Sequence, residues 1–124
     1  MLDHVTIGVS DIGRATTFYD HALRPLEITR LYGEGERFAG YGIRPRAFFW
    51  IGWRDGPQTG AHVAFAAKDR ATVERFYEAA IAAGGRDNGR PGLRPHYHAD
   101  YYGAFVLDPD GHNIEAVCRA PQAR

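Results

Sequence analysis

The chain has 124 residues, enough for one domain that buries roughly two thirds of the surface exposed by its unfolded chain. Fifteen basic and fifteen acidic residues balance without long charged runs, which argues against partners such as nucleic acid or a membrane surface. Cys118 is the only cysteine, so an internal disulfide is excluded. The sequence starts without the charged and then apolar segments of a signal peptide, so we expect a soluble, cytoplasmic protein. The balanced charge favours a small molecule as its partner.

The first segment, 2–9, alternates with the two-residue period of a strand. His4 lies on one face of this strand, and the opposite face is aliphatic, with Val5, Ile7 and Val9. Asp11 then supplies an N-cap for an amphipathic helix that must end before Pro25. We expect the helix to cover the aliphatic face, so that His4 points away from it.

Three short strands are predicted next, separated by glycine and proline, at about 27–32, 37–42 and 47–53. The second half begins again with a strand over 62–67 and a helix from the cap at Asp69 to about Ala83. A weak strand is predicted near 85–87. The following segment, 88–100, is rich in glycine, proline and rings, so we predict an irregular, functional loop there.

The last predicted element is a hairpin with strands over 101–107 and 113–119. Its turn at 108–111 reads Asp-Pro-Asp-Gly, which suits a type I turn. In the closing strand, Glu115 falls on the face opposite its apolar neighbours Ile114, Ala116 and Cys118. A carboxylate is thereby set apart on one side of the sheet.

The two halves of the chain are copies of one motif, offset by 58 residues. Segments 4–23 and 62–81 align without a gap, with identical residues at His4/His62, Val5/Val63, Asp11/Asp69, Phe18/Phe76, Tyr19/Tyr77 and Ala22/Ala80. Each copy reads as a histidine-bearing strand, an aspartate cap and an amphipathic helix, followed by three strands. We predict an α+β domain over 1–124, with βαβββ modules at about 1–57 and 58–124 related by pseudo-twofold symmetry.

The repeat points to a metal site. If the modules pair about their pseudo-axis, His4, His62 and Glu115 occupy equivalent inward positions. Two imidazoles and one carboxylate suit a divalent first-row metal and leave coordination positions open, which indicates catalysis. A lone strand histidine is more often a hydrogen-bonded structural residue, and an edge glutamate is usually solvated. The matched positions of the two histidines favour metal ligation instead.

The fourth equivalent position lies in the strand at 47–53. Aligning Pro45 with Pro109 makes Ile51 the counterpart of Glu115. An alignment shifted by one residue makes Trp50 the counterpart instead. Neither side chain binds a metal, so two copies give one asymmetric site.

Rings cluster around 96–102, where they either plug one end of the sheet or line a pocket that orients an organic ligand. We favour the pocket. His98 and Tyr102 are the candidate acid–base residues, since an imidazole titrates near neutral pH and both side chains are long enough to reach a metal-bound substrate. The residues predicted to contact substrate are Trp50, Tyr97, Tyr101 and Phe105.

Three segments closely resemble the vicinal oxygen chelate superfamily, which includes glyoxalase I, fosfomycin-modifying thiol transferases, extradiol dioxygenases and bleomycin-resistance proteins. They are 4–11 with Phe18-Tyr-Asp20, the restart at His62, and 105–115 with its Asp-Pro-Asp-Gly turn. The resemblance implies two βαβββ modules that form a cup-shaped, partly open barrel sheet with outer helices, and a homodimer. It also implies a divalent metal at His4, His62 and Glu115.

The resemblance leaves the reaction open. Glyoxalase I uses four protein ligands, so the missing carboxylate near Trp50 or Ile51 counts against that lyase reaction. Thiol transferases and dioxygenases use three, but a tyrosine usual in both stands here as Phe105, for which Tyr101 or Tyr102 would have to substitute. The ion is open among Fe, Mn, Zn and Ni. Our leading hypothesis is an enzyme that chelates two neighbouring substrate oxygens; the alternative is a metal-free, drug-sequestering binding protein.

Overall fold

The computed structural model describes residues 1–33, 35 and 37–122. Strands and helices follow the predicted order with a short 3₁₀ helix added: β1 (Val5–Val9), α1 (Ile12–Ala22), the 3₁₀ helix (Arg24–Leu26), β2 (Thr29–Tyr32), β3 (Phe38–Ile43), β4 (Arg46–Trp53), β5 (His62–Ala66), α2 (Arg70–Ala82), β6 (Arg86–Leu93), β7 (Tyr102–Leu107) and β8 (Asn113–Cys118). Neither helix is long and apolar enough to cross a membrane within these described ranges.

The strands form two four-stranded sheets of identical topology, ordered β1-β4-β3-β2 and β5-β8-β7-β6. In each sheet the first strand of the module pairs in parallel with the last, and the other pairings are antiparallel. The predicted α+β fold of two βαβββ modules is therefore confirmed. The sheets do not close into a barrel, and the strands β1 and β5, on which the sequence places the two histidines, lie at sheet edges.

Both helices begin at the predicted aspartate caps. The Asp11 carboxylate accepts the backbone N–H of Arg14 at 3.1 Å, and the Asp69 carboxylate accepts that of Thr72 at 2.8 Å. Pro25 ends α1 as predicted, but the chain continues as the 3₁₀ helix because proline fits the first positions of a new helical turn.

Each helix covers one face of its own sheet, and the two helices pack on each other. Phe18 and Phe76, equivalent residues of the repeat, are fully buried, and the rings of Phe49 and Phe65 meet edge to face at 5.2 Å across the modules. One apolar core therefore joins both halves. We call the sheet faces that point away from the helices the open faces.

The prediction of an irregular segment over 88–100 is partly wrong, because β6 extends to Leu93. This strand pairs with β7 through two register shifts, one of them at Gly89, where φ is +151°. Gly89 and Pro91 weaken the sequence pattern of a strand, since glycine favours bulges and proline donates no hydrogen bond. Pairing with β7 overrides these local preferences.

The turn between β7 and β8 fastens the second module to the first. Asp108 is buried, and its carboxylate accepts the hydroxyl of Tyr19 on α1 and the backbone N–H groups of Asp110 and His112, both at 2.9 Å. His112 donates from Nε2 to the carbonyl of Gly8 on β1 at 2.8 Å. Burial and the neighbouring Asp108 charge raise the pKa of Tyr19 well above its ordinary value, so the phenol stays a donor.

Replacing Asp108 with Ala is expected to lower the free energy of unfolding by about 3–5 kcal/mol, because three buried donors lose their acceptor at about 1–3 kcal/mol each. Urea denaturation measures the loss. Asp110→Ala is the matched control in the same turn. Among the described residues its carboxylate accepts from Ser10 alone, near the surface, so the expected loss is about 1 kcal/mol. Equal losses for the two variants would contradict a central role for Asp108.

Candidate functional site

His62 and Glu115 meet on the open face of the second sheet. Ala64 of β5 pairs directly with Glu115 of β8, which brings the preceding histidine of β5 alongside the carboxylate. His62 Nε2 lies 2.8 Å from Glu115 Oε1. The Glu115 side chain is 2% exposed and that of His62 is 53% exposed. A buried carboxylate therefore stands behind an imidazole that reaches solvent.

Tyr101 is the second partner of Glu115, and its hydroxyl donates to Oε2. Gly103 makes room for this contact, since a Cβ there would lie 3.2 Å from the Tyr101 ring and 3.5 Å from Oε2. Burial first, and then the hydrogen bond and charge of Glu115, raise the pKa of Tyr101 to about 12. The phenol thus keeps its proton at neutral pH and serves as a donor.

The contact between Tyr101 and Glu115 was missed by sequence reasoning, which placed Tyr101 in the pocket wall and left open whether Tyr101 or Tyr102 substitutes for the tyrosine replaced by Phe105. The signal was present in the two-residue period of the strand. Tyr101, Gly103 and Phe105 alternate onto one face, and Phe105 pairs directly with Glu115.

His4 lies immediately before β1, the edge strand of the other sheet. Its Nδ1 lies 2.7 Å from a carboxylate oxygen of Asp3, which also pairs with Arg46. Within residues 1–33, 35 and 37–122, no three His, Cys, Asp or Glu side chains form a group able to hold a metal ion. One chain therefore brings together His62 and Glu115 but does not add His4 to them.

The two predicted acid–base residues lie apart from the pair. Tyr102 points to the helix side of the sheet, where its hydroxyl donates to Glu74 of α2 at 2.6 Å. His98 is exposed, and its Nδ1 accepts the backbone N–H of Asp100 at 3.1 Å in the loop before β7. The structure thus places Tyr101, rather than Tyr102, next to Glu115.

Two of the predicted contact residues, Phe105 and Tyr97, lie near the pair. The Phe105 ring lies 6.2 Å from the His62 ring. The guanidinium of Arg94 lies 5.4 Å from the centre of the Phe105 ring. Tyr97 is exposed and meets Tyr101 edge-on at 5.0 Å. These rings border the open face of the second sheet.

Trp50 occupies the position in the first module that Glu115 occupies in the second. The repeat matches Thr6 with Ala64, and these residues pair with Trp50 and Glu115 respectively. Ile51 is fully buried in the core, so the alignment that put it opposite Glu115 is wrong by one residue. The open face of the first sheet carries an indole where the second carries a carboxylate.

Residues 1–116 match the model of the Glyoxalase/Bleomycin resistance protein/Dioxygenase superfamily. The chain belongs to this superfamily. The match includes His4, His62 and Glu115 and both modules. A comparison with curated proteins gave no match.

Solved structures of superfamily members and related proteins share the fold. A glyoxalase/bleomycin resistance protein from Albidiferax ferrireducens T118 is 32% identical, with a TM-score of 0.82 over 97% of this chain and 99% of that one. A glyoxalase-related enzyme from Fulvimarina pelagi is 19% identical, with a TM-score of 0.72 over 95% and 87%. A glyoxalase I mutant from Zea mays is 22% identical, with a TM-score of 0.69 over 94% of this chain and 43% of that one.

Proposed function

We propose that this protein is a metal-dependent enzyme that acts on a small, oxygen-rich molecule through a divalent ion held by His62, Glu115 and a His4 side chain. The observation that carries the proposal is the 2.8 Å approach of His62 Nε2 to Glu115 Oε1 on the open face of the second sheet, where the imidazole reaches solvent. The superfamily includes enzymes with this kind of chemistry, which agrees with the proposal.

The donor pair fits a divalent ion. Nitrogen and oxygen ligands lie roughly 2.0–2.2 Å from such an ion, so two neighbouring donors at about a right angle stand roughly 3 Å apart. The observed separation of 2.8 Å agrees with this value. Tyr101 donates to the second carboxylate oxygen, Oε2, and this hydrogen bond orients Glu115. The first oxygen, Oε1, then lies beside His62 Nε2, so the two atoms can act as neighbouring ligands of one ion.

A bound ion would act as a Lewis acid toward neighbouring substrate oxygens. The protein residues around it then orient the substrate and hold protons. Tyr101 retains its phenolic proton in the hydrogen bond to Glu115, so we assign it a positioning role for the carboxylate rather than the acid–base role expected of Tyr102. Phe105 and Tyr97 border one side of the face and offer ring surface to a substrate.

The position of His4, the proposed third ligand, favours a homodimer. Because His4 is not grouped with His62 and Glu115 within one chain, we propose that His4 comes from a second copy. In the described part of the chain, β1 and β5 are edge strands with one neighbour each, and exposed edges favour pairing with another chain. Leu2 and Ile43, which are 81% and 54% exposed, border the groove between these edges and add apolar surface for association.

The alternative is a metal-free binding protein, in which His62, Tyr101 and Glu115 form a closed hydrogen-bonded set and rings hold the ligand. The observation in its favour is that both oxygens of Glu115 already have protein partners. In that case the open faces sequester a drug or metabolite without chemistry.

Thermal denaturation with and without a chelator separates the two functions. For the metal-dependent enzyme, an ion at 100 times its Kd is expected to raise Tm by roughly 10 °C, because it stabilises the native state by about 2.7 kcal/mol. The chelator should remove this increase completely. A Tm unchanged by Mn²⁺, Zn²⁺, Ni²⁺ or Fe²⁺ would favour the binding protein and contradict the metal site.

A further inference from the structure

Three rings form an exposed surface on the open face of the first sheet, which we call the ring platform: Tyr32, Phe38 and Trp50. The rings of Tyr32 and Trp50 are nearly parallel, with 5.6 Å between centroids and 16° between planes. The Phe38 ring lies 6.1 Å from Trp50 at 42°. Tyr32 and Phe38 are each 52% exposed, so the platform presents aromatic surface to solvent rather than to the core.

Gly40 holds the indole of Trp50 close to the sheet. The two residues are direct strand partners, and a Cβ at Gly40 would lie only 2.6–2.8 Å from three indole carbons. Any larger residue at this position would therefore push the ring away. Because Gly40 has no side chain, the indole of Trp50 can lie flat against the sheet.

The second module reverses this arrangement. Phe105 stands opposite Glu115, as Gly40 stands opposite Trp50, and Gly89 pairs with Phe105, as Tyr32 pairs with Gly40. Large and small residues thus alternate in opposite order across the two sheets. One module presents a carboxylate and an imidazole, whereas the other presents a flat aromatic surface.

A cavity of about 550 Å³ lies against two rings of the platform, Phe38 and Trp50, and is also lined by His4, Thr6, Arg37 and Arg54. This size suits a small organic ligand. The Arg54 guanidinium lies above Gly52, 3.2 Å from where a Cβ would be. The Arg37 guanidinium instead lies 5.0 Å from the ring of Trp53, which alternates to the opposite face of β4 from Trp50. The carboxylate that also lines this cavity, Asp3, is already paired with Arg46 and His4. Among the described residues that line the cavity, Arg54 therefore offers a positive charge to a ligand.

We infer that the ring platform binds a planar aromatic carboxylate, whose ring stacks on Trp50 and whose carboxylate meets Arg54. Flat π systems gain from offset stacking, and a guanidinium recognises a carboxylate through paired hydrogen bonds. The inference names a substrate class for the enzyme and in that respect rests on the proposed function. Binding itself requires only the first sheet.

The test uses 2-naphthoate as the probe and tryptophan fluorescence as the readout, since the chain has two tryptophans. In Trp53→Phe only Trp50 remains, and we expect saturable quenching with Kd on the order of 10⁻⁴ M for a ligand of this size. Trp50→Leu should abolish binding when the ligand's own fluorescence is followed. Circular dichroism and Tm establish that each variant is folded.

Arg54→Gln tests the contribution of the charged contact apart from that of ring stacking. This test stays informative even if a Trp50 variant fails to fold. It is expected to weaken 2-naphthoate roughly tenfold and to leave the neutral 2-naphthalenemethanol unchanged. Cyclohexanecarboxylate, which carries the charge without a flat ring, should bind at least about tenfold more weakly than 2-naphthoate. Naphthoate binding that is insensitive to both Trp50→Leu and Arg54→Gln, or absent in the wild type, overturns the inference.

The same titrations in His62→Ala, with chelator present, keep this inference distinct from the metal site. Retained naphthoate affinity supports the ring platform whether or not the wild type binds an ion. Loss of naphthoate binding in His62→Ala, in a folded protein, contradicts a binding site confined to the first sheet. A wild type that binds an ion but no naphthoate leaves the proposed function standing and rejects the aromatic carboxylate.

Discussion

Replacing His62 with Ala is expected to remove the divalent ion from the purified protein. The wild type should carry about one ion per site, and the variant less than about a tenth of that, since loss of an outer partner alone weakens metal sites about 10–100-fold and loss of a ligand costs more. In the variant, Glu115 loses the contact with His62 and keeps the hydrogen bond from Tyr101. Elemental analysis after gel filtration measures the ion content directly.

His21→Ala is the matched control for this measurement. His21 is an exposed histidine on α1, and its Nδ1 contacts the backbone carbonyl of Thr17 at 2.8 Å, away from the open faces. Its removal should leave the ion content unchanged. An ion retained in full by His62→Ala, or lost equally in both variants, would place any metal elsewhere and defeat the proposed centre.

The fold could be predicted from the sequence because local and global signals agree. Asp11 and Asp69 cap equivalent helices, and Phe18 and Phe76 fall on equivalent buried positions, so the repeat alone defines two modules. Agreement fails in β6. There Gly89 lowers strand propensity, and the strand exists because β7 supplies its hydrogen-bond partners. A pairing partner distant in sequence leaves no local signal.

The candidate site was harder to predict, because adjacent residues of a strand point to opposite faces and an error of one residue changes the face. Tyr101 contacts Glu115, whereas its neighbour Tyr102 contacts Glu74 on the helix side. The ring-rich composition of this segment could not separate the two tyrosines. The two-residue period of the strand could have separated them, because it places Tyr101 on the same face as Phe105, the pairing partner of Glu115.

The same error of one residue affected the first module. The proline of the short β3–β4 turn was aligned with the proline of the longer β7–β8 turn, which placed Ile51 on the open face. Counting from the histidines instead gives Trp50, because the parallel pairs β1–β4 and β5–β8 have the same register. Paired strands fix equivalence more reliably than turns, whose lengths differ between the copies.

Mixing two defective chains is expected to restore one metal site per heterodimer. If His4 from one protomer joins His62 and Glu115 of the other, His4→Ala and His62→Ala homodimers both lack the ion. In a heterodimer of these variants, both damaged residues fall in the same site, and the second site has all three ligands. The expected content rises from near zero to about one ion per heterodimer, or about half an ion per chain.

Two different affinity tags allow the heterodimer to be purified after co-expression, and elemental analysis then gives the ion content. A heterodimer of His62→Ala with Glu115→Gln is the matched control, because each site then lacks one ligand of the same open face. That control should remain without metal. Failure of the first pair to regain an ion, although gel filtration shows a dimer, contradicts a site shared between protomers and leaves His62 and Glu115 without a third ligand from the partner chain.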